Sequence, residues 1–187
     1  MKQASLREKY QKEIKPELQK ELGLKNVNAS PVLEKVVVNV GLGRMGQNAN
    51  FQEKVLPEII KEVSQMFGQK PSPRPAKKSI SGFKLREGQT VGIKVTLRGG
   101  RMYDVVDKIV KSVFPRVRDF RGINLKNIDE KGNLNLGFRE HVVFPEIAQD
   151  ISTVNFGLQI TVVVRARKRE HAIELYKKLG FLFKKEK

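Results

Sequence analysis

The stretch VVVNVGLGRMG, residues 36–46, is compatible with two different folds. Gly41, Gly43 and Gly46 spell G-x-G-x-x-G, the fingerprint that seats a pyrophosphate at the first helix of a parallel dinucleotide-binding sheet. The residues before them alternate. Val36, Val38 and Val40 point one way and Lys35, Val37 and Asn39 the other, as in a half-wet antiparallel strand. The next thirty residues decide between the two. A dinucleotide site needs a helix at once and a second buried strand ending in an acid about 20 positions on. Here QNAN (47–50) intervenes, and the region due to carry the acid reads MFGQKPSPRPAKK (66–78), without a carboxylate. The glycines are therefore read as a tight strand exit, where positive φ or close approach excludes a Cβ.

Working outward, Leu6, Tyr10, Ile14, Leu18 and Leu22 form a helical stripe that Pro16 should kink or split and Gly23 should stop. Phe51, Val55, Ile59 and Val63, with Leu56, Ile60 and Phe67, make a second helical face ended by Gly68. Residues 68–88 hold three prolines and six basic side chains against one acidic, which predicts an extended basic loop at about 70–88. VGIKVTLR (91–98) and LQITVVVR (158–165) alternate as strands. Residues 101–114 read as a helix ended by Pro115, 130–133 as a hairpin turn, and 168–179 as a closing helix. His141 falls in an expected strand. The sum is α+β: one two-layer domain over 1–187, a mainly antiparallel sheet with helices on one face and the other face exposed.

The chain has 37 Lys and Arg against 20 Asp and Glu, a net charge of +17. Residues 70–121 alone hold 14 basic and 4 acidic side chains. So uneven an excess fits a polyanion, with counterion release supplying the binding energy. Nucleic acid is favoured over an anionic membrane surface, because no long basic amphipathic helix carries an aromatic-rich face. There is no cysteine, hence no disulfide or thiolate site, which suits a reducing cytoplasm. The charged start lacks a signal-peptide core and no apolar run nears the length of a membrane span, so a soluble chain is expected.

The second faces of the strands carry the functional signal. Lys35 and Asn39, then Lys94, Thr96 and Arg98, then Gln159, Thr161 and Arg165, are nearly free of carboxylates and contain no aromatic. Amides, hydroxyls and cations suit phosphates, ribose hydroxyls and base edges, and the missing aromatics favour docking on a folded RNA over stacking of splayed bases. His141 and His171 have no neighbours that would make a metal pair or activate a nucleophile, so neither metal, cofactor nor enzyme is expected.

Five motifs in one order then carry a resemblance: GQKPSPRPAKKSISGFKLREG (68–88), GIKVTLRGGRMYD (92–104), FPRVRDFRGI (114–123), GN (132–133) and REHVVFPEI (139–147). Together with NVGLG (39–43) they resemble the family of bacterial large-subunit ribosomal protein five. The resemblance implies a non-enzymatic, ribosome-bound cytoplasmic protein whose exposed sheet grips 5S rRNA in the central protuberance. It implies RNA contacts at Asn39, Gln69 and Thr96, to which the polar face adds Lys35, Lys94 and Arg98. It implies that the basic loop reaches the P-site tRNA, through Arg74, Lys77, Lys78 and Ser79. It also implies a bridge to small-subunit ribosomal protein thirteen, for which the acidic segment of Glu140, Glu146 and Asp150 is the candidate, a solvated acidic patch being the alternative. Two other classes stay open on the residues alone: a free-standing RNA chaperone, which would bind many RNAs alike, and a nucleotide-dependent enzyme, whose cofactor binding would depend little on salt.

Overall fold

The computed structural model describes residues 5–47, 50–147 and 154–184. Five strands, β1 (Val32–Gly41), β2 (Ser72–Pro75), β3 (Thr90–Leu97), β4 (Leu134–Phe138) and β5 (Leu158–Arg165), form one antiparallel sheet in the order β2-β3-β1-β5-β4. The helices are α1 (Leu6–Lys9), α2 (Lys15–Glu21), α3 (Leu56–Phe67), α4 (Gly99–Lys108), the single turn α5 (Phe114–Arg116) and α6 (Arg169–Lys178). The predicted α+β class and the alternation of all three strands hold. Val36, Val38 and Val40, then Ile93, Val95 and Leu97, then Ile160, Val162 and Val164 are buried, while Asn39, Gln159 and Arg165 are exposed. Among the described residues no helix is long and apolar enough to cross a membrane.

The chain clusters into two compact units, one of Met1–Val36, Leu97–Leu136 and Thr161–Lys187, the other of Val37–Thr96 and Gly137–Ile160.

In the first unit the opening stripe is helical, but its middle turn, Tyr10–Ile14, is a π-helix in which Lys15 N–H donates to the Tyr10 carbonyl. A stripe spaced four apart drifts by about 40° per turn of an α-helix. One widened turn cancels that drift, so Tyr10, Ile14 and Leu18 are all buried. Proline also explains where the wide turn falls. Pro16 has no N–H and its ring would strike the carbonyl four residues back, and a π turn relieves both problems. Ile109–Val113 before Pro115 repeats the arrangement. Pro115 therefore does not end its helix as expected, which runs on to Arg116. The predicted hairpin shrinks to an isolated bridge, Ile128 to Leu134, around a turn held by Asp129 Oδ1 accepting from Asn133 N–H at 2.7 Å. Tyr176 of α6 locks this turn to β5. Its hydroxyl lies 2.9 Å from the Gly132 carbonyl and 3.0 Å from that of Val162, and accepts from Leu134 N–H at 3.1 Å.

Removing that hydroxyl leaves a buried donor and two carbonyls short of partners, so Tyr176→Phe should cost about 1.5 kcal/mol in urea unfolding. Burial also raises the folded-state pKa of this phenol above its ordinary value near 10. Folded protein then holds a proton that the unfolded chain releases, so the contribution is complete below pH ~10 and is lost as pH climbs further. The Phe variant should show a shallower alkaline loss of stability.

In the second unit, Phe51–Val55 forms another π turn ahead of Pro57, and Gly68 stops α3 in the left-handed conformation at φ 63°. Phe144 packs edge-on against Phe67 and Phe138, at 5.4 and 5.8 Å between ring centres. His141 sits in a 3-10 turn, not the expected strand, because the chain has left the sheet after β4. It is buried, stacked on Phe156 at 4.1 Å, with Nε2 3.3 Å from the buried Glu62 carboxylate.

Candidate nucleic-acid interface

Four of the six residues expected on the RNA face lie in the second unit: Asn39, Gln69, Lys94 and Thr96. Alternation on β1 and β3 turns Asn39, Lys94 and Thr96 away from the buried valines and isoleucine. The two strands are neighbours, joined past the end of β1 by Leu42 N–H donating to the Val91 carbonyl at 2.9 Å. Gln69 comes from the turn after α3, and its Nε2 donates to the Thr96 carbonyl at 3.2 Å. That bond uses the Thr96 backbone and leaves the hydroxyl available. Asn39, Lys94 and the Thr96 hydroxyl make no side-chain hydrogen bond or ion pair to any other described residue. An antiparallel sheet normally exposes polar groups. What stands out is a cation that no described carboxylate neutralises, beside an amide and a hydroxyl with no partner among the described residues. Gln159 and Gly137 are exposed in the same unit.

Lys35 and Arg98 belong to the first unit. Lys35 is half-buried and pairs with Glu34 at 3.2 Å, so part of its charge is spent within the chain; Arg98 is exposed at the start of α4. Asn135 and Thr161 also share this unit, with Thr161 Oγ1 2.8 Å from Asn135 Oδ1. The polar face expected from the sequence omits Asn135 and Gly137, although the buried alternation of Leu134, Leu136 and Phe138 places both on the open side.

The basic segment is more ordered than an extended loop. Its first part, Ser72–Pro75, is the edge strand β2, paired antiparallel to β3 with Ser72 opposite Lys94 and Arg74 opposite Gly92. Proline is tolerated there because an edge strand leaves alternate N–H positions without a strand partner. Beyond it, Ala76 N–H donates to the Gln89 carbonyl and Gly88 N–H to the Ala76 carbonyl, closing the base of the loop. Ile80 and Leu85 bridge across it. Ser79 is partly committed, its Oγ accepting from Glu87 N–H at 2.9 Å. Arg74, Lys77 and Lys78 are exposed, and Phe83 at the tip is 72% exposed.

The acidic candidates divide. Glu140 and Glu146 are exposed on either side of the His141 turn, whereas Asp150 lies outside the described residues. The fingerprint glycines correct one expectation. Gly41, Gly43 and Gly46 have no positive φ, and a Cβ at Gly41 or Gly43 would meet nothing within 4 Å. Among the described residues neither backbone strain nor crowding requires glycine at 41 or 43. Close approach does govern Gly92, where a Cβ would lie 2.8 Å from the Val40 carbonyl oxygen. No group of three or more metal-ligating side chains occurs among the described residues.

Comparison with known proteins follows the same outline. A sequence model described as "Ribosomal protein L5" matches residues 26–86, and a second model, for the C-terminus of the same ribosomal family, matches residues 90–183. The large ribosomal subunit protein uL5 of Anaeromyxobacter sp. (strain Fw109-5) is 48% identical over 181 residues, covering 97% of this chain and 98% of that protein. Its counterpart in Thermus aquaticus is 45% identical over 181 residues, covering 97% of each, and that of Leptospira biflexa 45% over 179 residues, covering 96% of each. On an antiparallel sheet with an uncompensated polar face and with matches along nearly its whole length, the chain belongs to the ribosomal protein L5 family, as a structural, non-enzymatic constituent of the large ribosomal subunit in the bacterial cytoplasm.

Proposed function

We propose that the chain binds 5S rRNA through the open side of its sheet and helps to attach that RNA in the central protuberance. The observation that carries this reading is the set of Asn39, Gln69, Lys94 and Thr96 in one compact unit, where among the described residues no carboxylate pairs with Lys94 and nothing bonds the Asn39 amide or the Thr96 hydroxyl. Such groups match phosphate oxygens and ribose 2′-hydroxyls, and fixed strands hold them in register with a folded RNA. The loop that leaves β2 offers Arg74, Lys77 and Lys78 on a base closed by backbone hydrogen bonds, which suits reach towards a second RNA, the P-site tRNA. The exposed carboxylates of Glu140 and Glu146 suit a basic protein across the subunit boundary, small-subunit ribosomal protein thirteen.

The test is binding of the purified protein to 5S rRNA and to an unrelated folded RNA of equal length, across a salt series. Non-specific charge binding falls with salt at a slope set by the phosphates neutralised, equally for both RNAs. A preference for 5S rRNA of about a thousandfold or more that survives high salt is expected. Equal affinities, both lost together as salt rises, would reduce the interface to its net charge and remove the assignment.

A further inference from the structure

We propose that a second binding site, in the first unit, is a pocket for a phosphorylated nucleotide, with Arg7 and Arg165 holding the phosphate and Tyr103 donating a hydrogen bond. The cavity measures about 390 Å³, within the range of small-ligand pockets, and all its lining residues belong to that unit. It lies between the opening helix, the start of β1, the start of α4 and the end of β5.

Surface arginines are expected on a chain of net charge +17, and most need no partner beyond water. Three observations exceed that expectation. First, Arg7 and Arg165 line a concavity, and neither has a carboxylate within 4 Å among the described residues, whereas Lys35, Lys111, Lys177 and Lys178 each do. The carboxylate at the pocket, Glu34, is engaged by Lys35.

Second, Ser30, 4% exposed and lining the pocket, leaves its buried Oγ without a partner. Tyr103, 7% exposed, lines the same pocket, and its hydroxyl makes no hydrogen bond to any described residue. Its neighbour Tyr10 donates to the Pro31 carbonyl at 2.8 Å, and Tyr176 has its partners, so among these three phenols Tyr103 is the exception. Buried polar groups are almost always bonded, so the unmet Ser30 hydroxyl at this cavity points to a ligand that would bond it, and the Tyr103 hydroxyl on the same wall is available to the same ligand. Third, α4 opens at Gly99 on the pocket with no side-chain cap from Arg98, leaving first-turn N–H groups free to meet an anion.

The chemistry selects the ligand class. Two unpaired guanidiniums suit a phosphate, which each can hold by two parallel hydrogen bonds. The phenol stays protonated and hence a donor, since burial raises its pKa and the nearby Arg7 only partly opposes this. The Tyr10 and Tyr103 rings, 5.8 Å apart and tilted by 35°, give an aromatic wall for a base.

A free mononucleotide and an RNA strand both carry such a phosphate, and calorimetry on the full chain separates these sources. The probes are 5′-AMP, adenosine and a single-stranded hexaribonucleotide, against wild type, Tyr103→Phe and the pair Arg7→Gln/Arg165→Gln. Tyr103→Phe keeps the local shape, Arg→Gln shortens an exposed polar side chain, and an unchanged thermal midpoint checks the fold of both. Saturable binding of 5′-AMP, with adenosine at least about tenfold weaker and each variant weakened about tenfold or more, supports a nucleotide pocket. Binding of the hexamer alone, weakened by these variants but not by Asn39→Ala, identifies an RNA strand as the source. No saturable binding of either phosphorylated probe, or equal binding by wild type and variants, overturns the proposal. The 5S reading is tested by other residues, Asn39 and Thr96, and by 5S rRNA itself, so the two can fail separately.

Discussion

Gly92→Ala is expected to lower the free energy of unfolding by about 2–3 kcal/mol, while Gly41→Ala and Gly43→Ala change it by no more than about 0.5 kcal/mol. The space around each Cα sets the difference. At Gly92 a methyl group would sit 2.8 Å from the Val40 carbonyl oxygen, inside van der Waals contact. The obstacle is backbone of the adjacent strand, so no side-chain rotation relieves it. The methyl must push β1 from β3 at a point where both strands bury their inner residues, and Val40 and Ile93 would lose packing together. At Gly41 and Gly43 a methyl group meets no described atom within 4 Å, and neither backbone has positive φ. Urea midpoints at constant m-value read the effect directly. An unchanged Gly92→Ala midpoint would mean that the strands separate at little cost, and a large loss at Gly41 would restore the conformational reading of the fingerprint.

The same contrast shows which features are legible in the sequence. Three strands with strict alternation are recognisable because a period of two leaves no other way to bury Val36, Val38 and Val40 or Ile160, Val162 and Val164. Asn39, Lys94 and Thr96 follow, since the polar parity of a strand is fixed once its apolar parity is known. Interactions between segments far apart carry no such local signature. The Gln69 to Thr96 bond spans 27 residues, and nothing near Gln69 announces it. β2 is hidden because its prolines read as loop, and edge pairing, which tolerates them, is decided by β3. The His141 turn passes for a strand because β-branched and aromatic residues, Val142, Val143 and Phe144, follow His141; only burial against Phe156 and Glu62 distinguishes it. Gly92 is inconspicuous in a strand-like run, while the prominent glycines at 41 and 43 have no internal requirement. A glycine's importance depends on what faces it.

The sheet and the loop should separate in their effects on RNA. Asn39→Ala combined with Thr96→Ala is expected to weaken 5S rRNA binding by about 30-fold to 10⁴-fold, taking about 1–3 kcal/mol for each hydrogen-bonding group removed. Neither change should unfold the protein. Asn39 is exposed, and alanine at 96 keeps the backbone carbonyl that Gln69 uses. The weakening therefore reports the amide and hydroxyl themselves. Lys94→Ala should behave differently, reducing the slope of log affinity against log salt by about 1, because a phosphate contact releases a counterion whereas a neutral hydrogen bond does not. Lys77→Ala with Lys78→Ala removes two charges beyond the closed loop base, so 5S affinity and its salt slope should stay nearly constant while protection of P-site tRNA in assembled ribosomes falls. If the loop pair abolished 5S binding and the sheet pair left it untouched, the roles given to these two surfaces would have to be exchanged. The salt slope guards against a subtler error: a sheet pair that weakened binding only by lowering the slope would be acting through the general field of the protein and not through its own two hydrogen-bonding groups.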